Sequence, residues 1–440
     1  MQDIQLDIDQ AGYQLIQLLE IKTSPAPKQA EPQKELHGIP FLFDLGEIKE
    51  LTAQSQDGWG QIDSRFVHKE GKEIGFGRER YKKVKEIASA FLELPERNLV
   101  ADEEFAEEKI FEWVLAVYQT NKAGLNLTVY LKQMIQQSVR PYTFYFKIEP
   151  LGIESGFNFG GINIIPFTED LVRQDFEKLP DKKREWDKYR DSFNSLIGSV
   201  VAEITVNAVE SKADTIARAQ ASLAVNALKC FLNAESLSRS YQMLDLDFTS
   251  IRTGFSHSVV RYNQEGGLRF NLKRLNGTIP IGLTSENLER LKNKGLSLMH
   301  DFLVAKNKND FQFLILRSIE QFGSAMSVRD LHERVVQLTS FFELFLNDEN
   351  SSRSKAETFL RTKVLQVLLK QEDMELGKTL MGKLYRIRDK YLHNRILKHI
   401  DPEELLKIQL IGLGFLKYCI KISPTIKTKE AFYQHFEIPY

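Results

Sequence analysis

The chain has 440 residues, of which 42% are hydrophobic, and this supports more than one hydrophobic core, because single cores stop growing at roughly 250 to 300 residues. The formal net charge of −1 excludes a protein that is basic or acidic over its whole length, so any nucleic-acid site must be a local patch. Cys230 and Cys419 are the two cysteines, and each lies in an apolar run, which excludes a disulfide framework and a zinc site. We expect neither cofactor nor metal, and we expect a cytoplasmic protein, since the sequence has no signal-peptide pattern and no long apolar span.

Residues 1–34 are expected to form a short N-terminal element followed by a Pro-rich linker, because prolines and polar residues cluster at 23–32. Residues 35–282 mix helical periodicity with β-branched and aromatic runs broken by glycine, which predicts an α+β domain. We interpret this domain as a sensor or substrate-positioning module. Its predicted elements are helices at 80–94 and 103–119, strands of one antiparallel sheet at 142–148 and 157–166, a further strand at 199–206, a helix at 215–232, and more β structure up to 281.

The pattern changes after residue 283, where apolar residues recur at three- and four-residue steps with almost no strand signal. Thr284 or Ser285 can cap a first helix that extends to Lys306, and Asp401 followed by Pro402 is typical of a later helix start. Residues 283–440 are therefore predicted to form a helical bundle, so that the fold class is an α+β region followed by an all-α domain. Two apolar stripes define its expected core, namely Val328, Leu331, Val335, Leu338, Phe342 and Phe345, and Leu380, Leu384, Ile387 and Leu392.

The residues with the clearest chemical potential are Arg388, Asp389 and His393, in one predicted helix. Cleaving RNA without a metal requires a group that moves protons near neutral pH and a cation that stabilises charge on phosphate, and His and Arg suit these roles. On a helix, Arg388 and His393 point in directions roughly 140° apart, so one copy of the helix makes a poor site. Two copies meeting across a two-fold axis would bring both pairs to one cleft. Asp389 lies one turn before His393 and can hold its imidazole.

Charge distribution supports a nucleic-acid site in this region. Residues 353–398 contain 12 Lys or Arg against 5 Asp or Glu, while the whole chain is close to neutral. An RNA backbone would be attracted to this basic segment. A second Arg and His pair with the same spacing, Arg252 and His257, lies among strand-like residues with Gly and Ser, so we discount it as a site.

The Arg388-Asp389-Lys390-Tyr391-Leu392-His393 motif, with its lead-in at 384–387, resembles the HEPN superfamily, in particular the bacterial ApeA-like HEPN proteins associated with phage defence. The run Phe342-Glu343-Leu344-Phe345-Leu346 is similar to an earlier helix of that family, with Phe in place of Leu at two positions, and residues 157–164 are similar to its N-terminal hairpin. The resemblance implies a helical bundle that acts as a dimeric, metal-independent endoribonuclease. It also implies that some members only bind.

Several residues admit both a functional and a structural interpretation. Glu343 interrupts an apolar face, and it either pairs with a basic residue of the motif helix or reaches solvent. In the structural interpretation, Arg388 forms an ordinary ion pair on the helix surface. His393 is then a partly buried histidine, and Asp389 is a solvated carboxylate. The rival functions are an inactive HEPN module that binds RNA, nucleotide or a protein, and a structural helical adaptor; the sequence identifies neither a trigger nor an antitoxin.

Further candidates for RNA contact are Tyr385, Arg386, Lys390, Asn394 and Arg395.

Overall fold

A computed structural model describes residues 2–23, 51–56, 61–69, 72–93, 95–122, 124–149, 151–177, 186–232, 245–246, 254–262, 268–275, 281–328, 330–346, 358–394 and 396–436.

The chain divides into two compact units that do not follow its linear order. Unit 1 contains Met1–Pro141 and Asn207–Asp214, and unit 2 contains Tyr142–Val206 and Thr215–Tyr440. The predicted boundary at 282 therefore does not coincide with a boundary between units, because the central strands belong to the same unit as the C-terminal helices. The predicted boundary at 34 and most of the Pro-rich segment lie outside the described residues.

Unit 1 packs helices beside a four-stranded antiparallel sheet of strand order β1-β4-β3-β2. Burial alternates along β3, as expected for a strand with one face on a core. The core contains Tyr81, Phe91, Phe111 and Trp113 from the helices. The helices predicted at 80–94 and 103–119 are confirmed as α2 and α4, and Asp102 caps α4 by accepting from the Phe105 backbone N–H. The elements of unit 1 are α1 Gln2–Gln17, β1 Glu20–Thr23, β2 Leu51–Gln56, β3 Ile62–Lys69, β4 Lys72–Phe76, α2 Arg78–Leu92, α3 Pro95–Asn98, α4 Glu103–Thr120 and α5 Leu127–Ser138.

The main sheet of unit 2 has the strand order β12-β11-β5-β9-β8-β7, with β10 also paired to β5. The runs predicted as strands at 142–148 and 157–166 are confirmed in this sheet. A separate parallel pair joins β6 to β13 and so ties the central strands to the start of the C-terminal helices. The strands are β5 Arg140–Glu149, β6 Leu151–Ile153, β7 Phe157–Phe159, β8 Ile162–Pro166, β9 Val200–Ala208, β10 Asp245–Leu246, β11 Gly254–Tyr262, β12 Leu268–Leu275 and β13 Ile281–Leu283.

The helices of unit 2 include one central helix, α8, whose first residues up to Asp214 belong to unit 1, and the C-terminal bundle. Thr284 caps α9 as predicted, but the expected single helix to Lys306 is interrupted by a kink within Lys292–Leu296, where Gly295 has a non-helical φ of 116°. Asp401 and Pro402 begin α15 as predicted. The helices are α6 Glu169–Glu177, α7 Trp186–Asp191, α8 Glu210–Leu232, α9 Ser285–Leu291, α10 Ser297–Val304, α11 Asp310–Ser327, α12 Leu331–Leu346, α13 Leu365–Leu368, α14 Met374–Asn394, α15 Pro402–Ile422 and α16 Lys429–His435, with a π-helical turn at Leu360–Val364 and a 3-10 turn at Gln371–Asp373.

The bundle core is built largely from phenylalanines, and the two predicted stripes account for much of it. Most stripe positions are buried, but Val328, which precedes α12, and Leu331, its first residue, are only half-buried. Leu392 is 38% exposed in the last turn of α14, so its assignment to the core is wrong. Within the described residues, no helix combines the length and apolarity that a membrane span requires. Contacting phenylalanine rings in the core come from Phe311, Phe322, Phe341, Phe342, Phe345, Phe415 and Phe432.

Candidate active site

Helix α14 carries the Arg388 to His393 motif and has one buried and one exposed face. The buried face includes Leu380, Leu384 and Ile387, while Asp389 and His393 are exposed. This division follows from the helical repeat, because the buried residues recur at three- and four-residue steps. The motif is therefore split between the interior and the surface of the bundle.

Arg388 lies on the buried face and is only 6% exposed. Its Nη2 lies 3.4 Å from Oε2 of Glu343 on α12, and its Nη1 donates to Oδ1 of Asp389 at 3.0 Å. Of the two alternatives for Glu343, the structure thus has the ion pair with the motif helix. A buried guanidinium needs such partners, since an uncompensated charge in the interior is strongly destabilising.

His393 lies on the exposed face of α14, one helical turn after Asp389. The Asp389 side chain is half exposed, and its Oδ1 already accepts from Arg388. Residues four apart on a helix are neighbours, so the carboxylate is placed to reach the imidazole. Glu343, Arg388, Asp389 and His393 thus lead in order from the core to the surface.

The burial of three RNA-contact candidates shows whether their side chains can reach RNA. Tyr385 is 3% exposed beside Arg388 on the inner face, which contradicts its placement on an RNA-facing surface. Arg386 and Lys390 are exposed as that surface requires. Asn394 is the last residue of α14, and the structure does not describe its side chain. Arg395 lies outside the described residues.

A group of cations occupies the exposed face near the end of α14. The pKa of Lys398 is lowered by the neighbouring ammonium of Lys390 and, more weakly, by Arg386, so these three charges are close to one another. Within the described part of the chain, none of the three forms a salt bridge with a carboxylate. By contrast, Lys383 on the same helix pairs with Glu404.

His332 and Lys398 belong to this region and were missed at the sequence level. The His332 ring stacks on Tyr391 with centroids 5.3 Å apart, and its Nε2 donates to the Lys398 carbonyl at 2.9 Å. The Tyr391 hydroxyl donates to Glu333 on the same turn of α12. Since His332 is 61 residues from His393 in the sequence, only the packing of α12 against α14 brings these residues together.

The described residues contain no group of three His, Cys, Asp or Glu side chains suited to a metal ion. His257, from the discounted second motif, lies in strand β11, as its sequence context predicted. Its setting offers no helix to present an Arg and His pair.

No family model, curated protein or solved structure matches the chain. The HEPN resemblance of the motif at 388–393 and of the run at 342–346 therefore stays a prediction. Both segments lie on helices that are in contact through Arg388 and Glu343.

Proposed function

We propose that the chain is a metal-independent endoribonuclease of the HEPN type, active as a homodimer, with a role in bacterial antiviral defence. The observation that carries this proposal is the ion-paired series Glu343, Arg388 and Asp389, with an exposed His393 one helical turn after Asp389 on a cationic face. An imidazole can exchange protons at neutral pH, and cations attract the phosphodiester backbone. The antiviral role comes from the resemblance to phage-defence proteins.

The proposed reaction is transfer of the phosphodiester within the RNA strand. The 2′-oxygen attacks the adjacent phosphorus, a bond from phosphorus to the 2′-oxygen forms, and the bond to the 5′-oxygen breaks, leaving a 2′,3′-cyclic phosphate. One His393 imidazole takes the 2′-hydroxyl proton, and the imidazolium of a second His393 donates a proton to the 5′-oxygen. Asp389 orients the imidazole, and Arg388 holds Asp389 through its Nη1.

From its residue type, Arg388 was also expected to stabilise the charge that develops on the phosphate during this reaction. Its guanidinium is buried between Glu343 and Asp389, so within one chain it does not present its fork to a phosphate. In the proposed site its main contribution is to connect α12 with Asp389. Cations on the surface must then supply the contact with phosphate.

A second copy of the chain completes the proposed site. Three apolar side chains close to His393 in the sequence, Leu392, Ile396 and Leu397, are exposed, and Leu397 is 69% exposed. Burying this apolar patch against a two-fold partner would bring two His393 imidazoles toward one cleft.

The buried position of Arg388 favours one alternative, a HEPN-like module that binds RNA without cutting it. Such a module would keep the cationic face and the ion pair with Glu343 but would have no need of His393. The two functions therefore differ in what happens when only the imidazole is removed.

The test is incubation of the purified protein with total RNA in EDTA, followed by sequencing of ends that carry a 2′,3′-cyclic phosphate. We expect such ends to appear with the wild-type protein and to fall on the order of 10²-fold with His393→Ala, as the loss of a proton-transfer group predicts. His399→Ala is the matched control, since His399 is an exposed histidine just beyond the helix. Cleavage that depends on added Mg²⁺ or Zn²⁺, or that is equal in the two variants, would contradict the proposal.

A further inference from the structure

Three cations, Arg386, Lys390 and Lys398, lie together at the exposed end of α14, and we refer to them as the cationic cluster. Lys398 is close enough to Lys390 for the second ammonium to lower its pKa. Two ammonium groups cannot satisfy each other, because both are hydrogen-bond donors of the same charge. In the free protein the cluster is therefore repulsive, and an anion bound between the cations would relieve that repulsion.

The cluster shares its face of α14 with His393. At roughly 100° per residue, Arg386 and His393 point in directions only roughly 20° apart, and Lys390 lies roughly 60° from His393. Arg388, in contrast, points roughly 140° away and is buried. The exposed cations, and not Arg388, are thus on the same side of the helix as the imidazole.

Lys398 is held on this side by its backbone. The amide N–H of Ile396 donates to the carbonyl of Lys390 at 3.2 Å, which turns the segment after α14 back along the helix. The Nε2 of His332 fixes the carbonyl of Lys398 at 2.9 Å. The third cation is therefore positioned by contacts from two helices, although it lies outside both.

We propose that Arg386, Lys390 and Lys398 form the phosphate-binding subsite for single-stranded RNA beside His393, in place of the buried Arg388. This inference rests on the proposed function for the identity of the polyanion. The three cations would contact successive phosphates or the scissile one, while the imidazole transfers protons. Single-stranded RNA fits an exposed helix end, because its backbone can follow a short, irregular row of charges.

The test uses binding of a strand that cannot be cut, so that it is independent of catalysis. The probe is a fluorescein-labelled oligouridylate with 2′-O-methyl riboses, titrated with full-length protein at several salt concentrations. In the triple variant Arg386→Gln, Lys390→Gln and Lys398→Gln we expect weaker binding and a salt dependence flatter by about two units, at about 0.7 unit for each phosphate that the variant no longer neutralises. The matched control removes three other exposed cations of unit 2, Lys292→Gln, Lys306→Gln and Lys421→Gln, which lie outside the basic segment, and we expect its slope to equal that of the wild type.

The outcomes separate this inference from the proposed function. Loss of binding in the cluster variant, together with wild-type protein that never cuts RNA, would support the subsite and overturn the endoribonuclease. Cleavage by the wild type with unchanged binding and salt slope in the cluster variant would support the endoribonuclease and overturn the subsite. Equal losses in the cluster and control variants would show a non-local charge effect and also overturn it. Thermal unfolding should show the cluster variant at least as stable as the wild type, since its self-repulsion is removed.

Discussion

The side chain of Arg388 is more important for stability than its motif suggests. Its guanidinium is buried against Glu343, and within the described residues Arg388 Nε and Glu343 Oε1 are buried atoms without a hydrogen-bond partner. Removing Arg388 leaves the Glu343 carboxylate without its cation, whereas removing Glu343 leaves the guanidinium its ion pair with Asp389. We expect Arg388→Gln to lower the free energy of unfolding by about 3 to 5 kcal/mol and Glu343→Gln to lower it by less, measured by urea denaturation.

A double variant separates the charge from the packing. Replacing the pair together, with Arg388→Met and Glu343→Leu, removes both charges while keeping apolar volume, so the loss should be much smaller than for either single change. A double variant as unstable as the sum of the single variants would show that the ion pair is not the source of the effect.

A second buried carboxylate, Glu107 in α4 of unit 1, predicts a pH dependence of stability. Burial raises the pKa of Glu107 above its ordinary value, outweighing a hydrogen bond from Tyr81 that lowers it. A carboxyl whose pKa is raised on folding contributes stability that is full below its ordinary pKa and is lost as the pH rises through the folded pKa. We therefore expect unit 1 to lose stability as the pH rises from about 4 toward neutrality.

The variant Glu107→Gln should remove most of this pH dependence, because the amide does not ionise. Trp113 lies in the same core, so its fluorescence reports unfolding of unit 1 once the other two tryptophans, Trp59 and Trp186, are replaced by Phe. Glu86→Gln is the control, since Glu86 is exposed and paired with Lys83 on the surface of α2. An identical pH profile in Glu107→Gln and the wild type would refute the assignment.

At the scale of elements, the crossing of α8 and α11 depends on a single glycine. A Cβ at Gly323 would lie 2.6 Å from the backbone oxygen of Asn226 and 2.8 Å from its Cα, so the two helices would have to separate. We expect Gly323→Ala to cost about 1 to 3 kcal/mol in chemical denaturation, the usual cost of overpacking. Gly414→Ala, in α15 with open space around its Cβ, should instead stabilise by up to about 1 kcal/mol. Equal effects at the two positions would contradict this account of the crossing.

The elements most accurately predicted from sequence are those with a strong local signal. Helix α4 begins at Glu103 as predicted because Asp102 supplies an N-cap, and α15 begins at Pro402 for the same kind of reason. The kink at Gly295 was missed, since a single glycine in an apolar helical pattern is usually tolerated.

Long-range features of the site had no local signal. Arg388 is buried because it lies on the apolar face of α14. Hydrophobic patterning does not predict this position, since the method assigns only apolar residues to a buried face. The contact of His332 with Lys398 joins residues 66 apart, and the cationic cluster depends on it. Helical spacing in the sequence was sufficient to predict the motif, the helix that carries it and, as one of two alternatives, an ion pair between Glu343 and that helix.

For the molecule as a whole, the proposed active site depends on the assembly state, because a second copy of the chain completes it. This two-copy site is called the composite site. We expect Leu397→Asp to place a charge in the apolar patch of Leu392, Ile396 and Leu397 and so to shift the protein from dimer to monomer, as measured by light scattering after size-exclusion chromatography. Cleavage should fall with the dimer fraction. Leu99→Asp is the control, because Leu99 is 68% exposed in unit 1, far in sequence from the motif.

A wild-type protein that is monomeric with RNA bound and still cuts at full rate would exclude the composite site. In that case a single imidazole would have to serve as both base and acid in turn. Dimers that persist in Leu397→Asp would place the two-fold interface elsewhere on the chain.

Unit 1 is built from two separate segments of the chain, and this determines when it can complete its folding during synthesis. Val209 belongs to the core of unit 1, its N–H donates to the Val100 carbonyl at 2.8 Å, and Ser211 donates to Asp102 at 2.8 Å. A nascent chain that has reached only Pro141 lacks these groups, so folding of its N-terminal part cannot finish until about residue 214 has left the exit tunnel. Translation must therefore supply the intervening strands β5 to β9 before the first unit is complete, and a gene fragment that stops at Pro141 would encode an unfinished core.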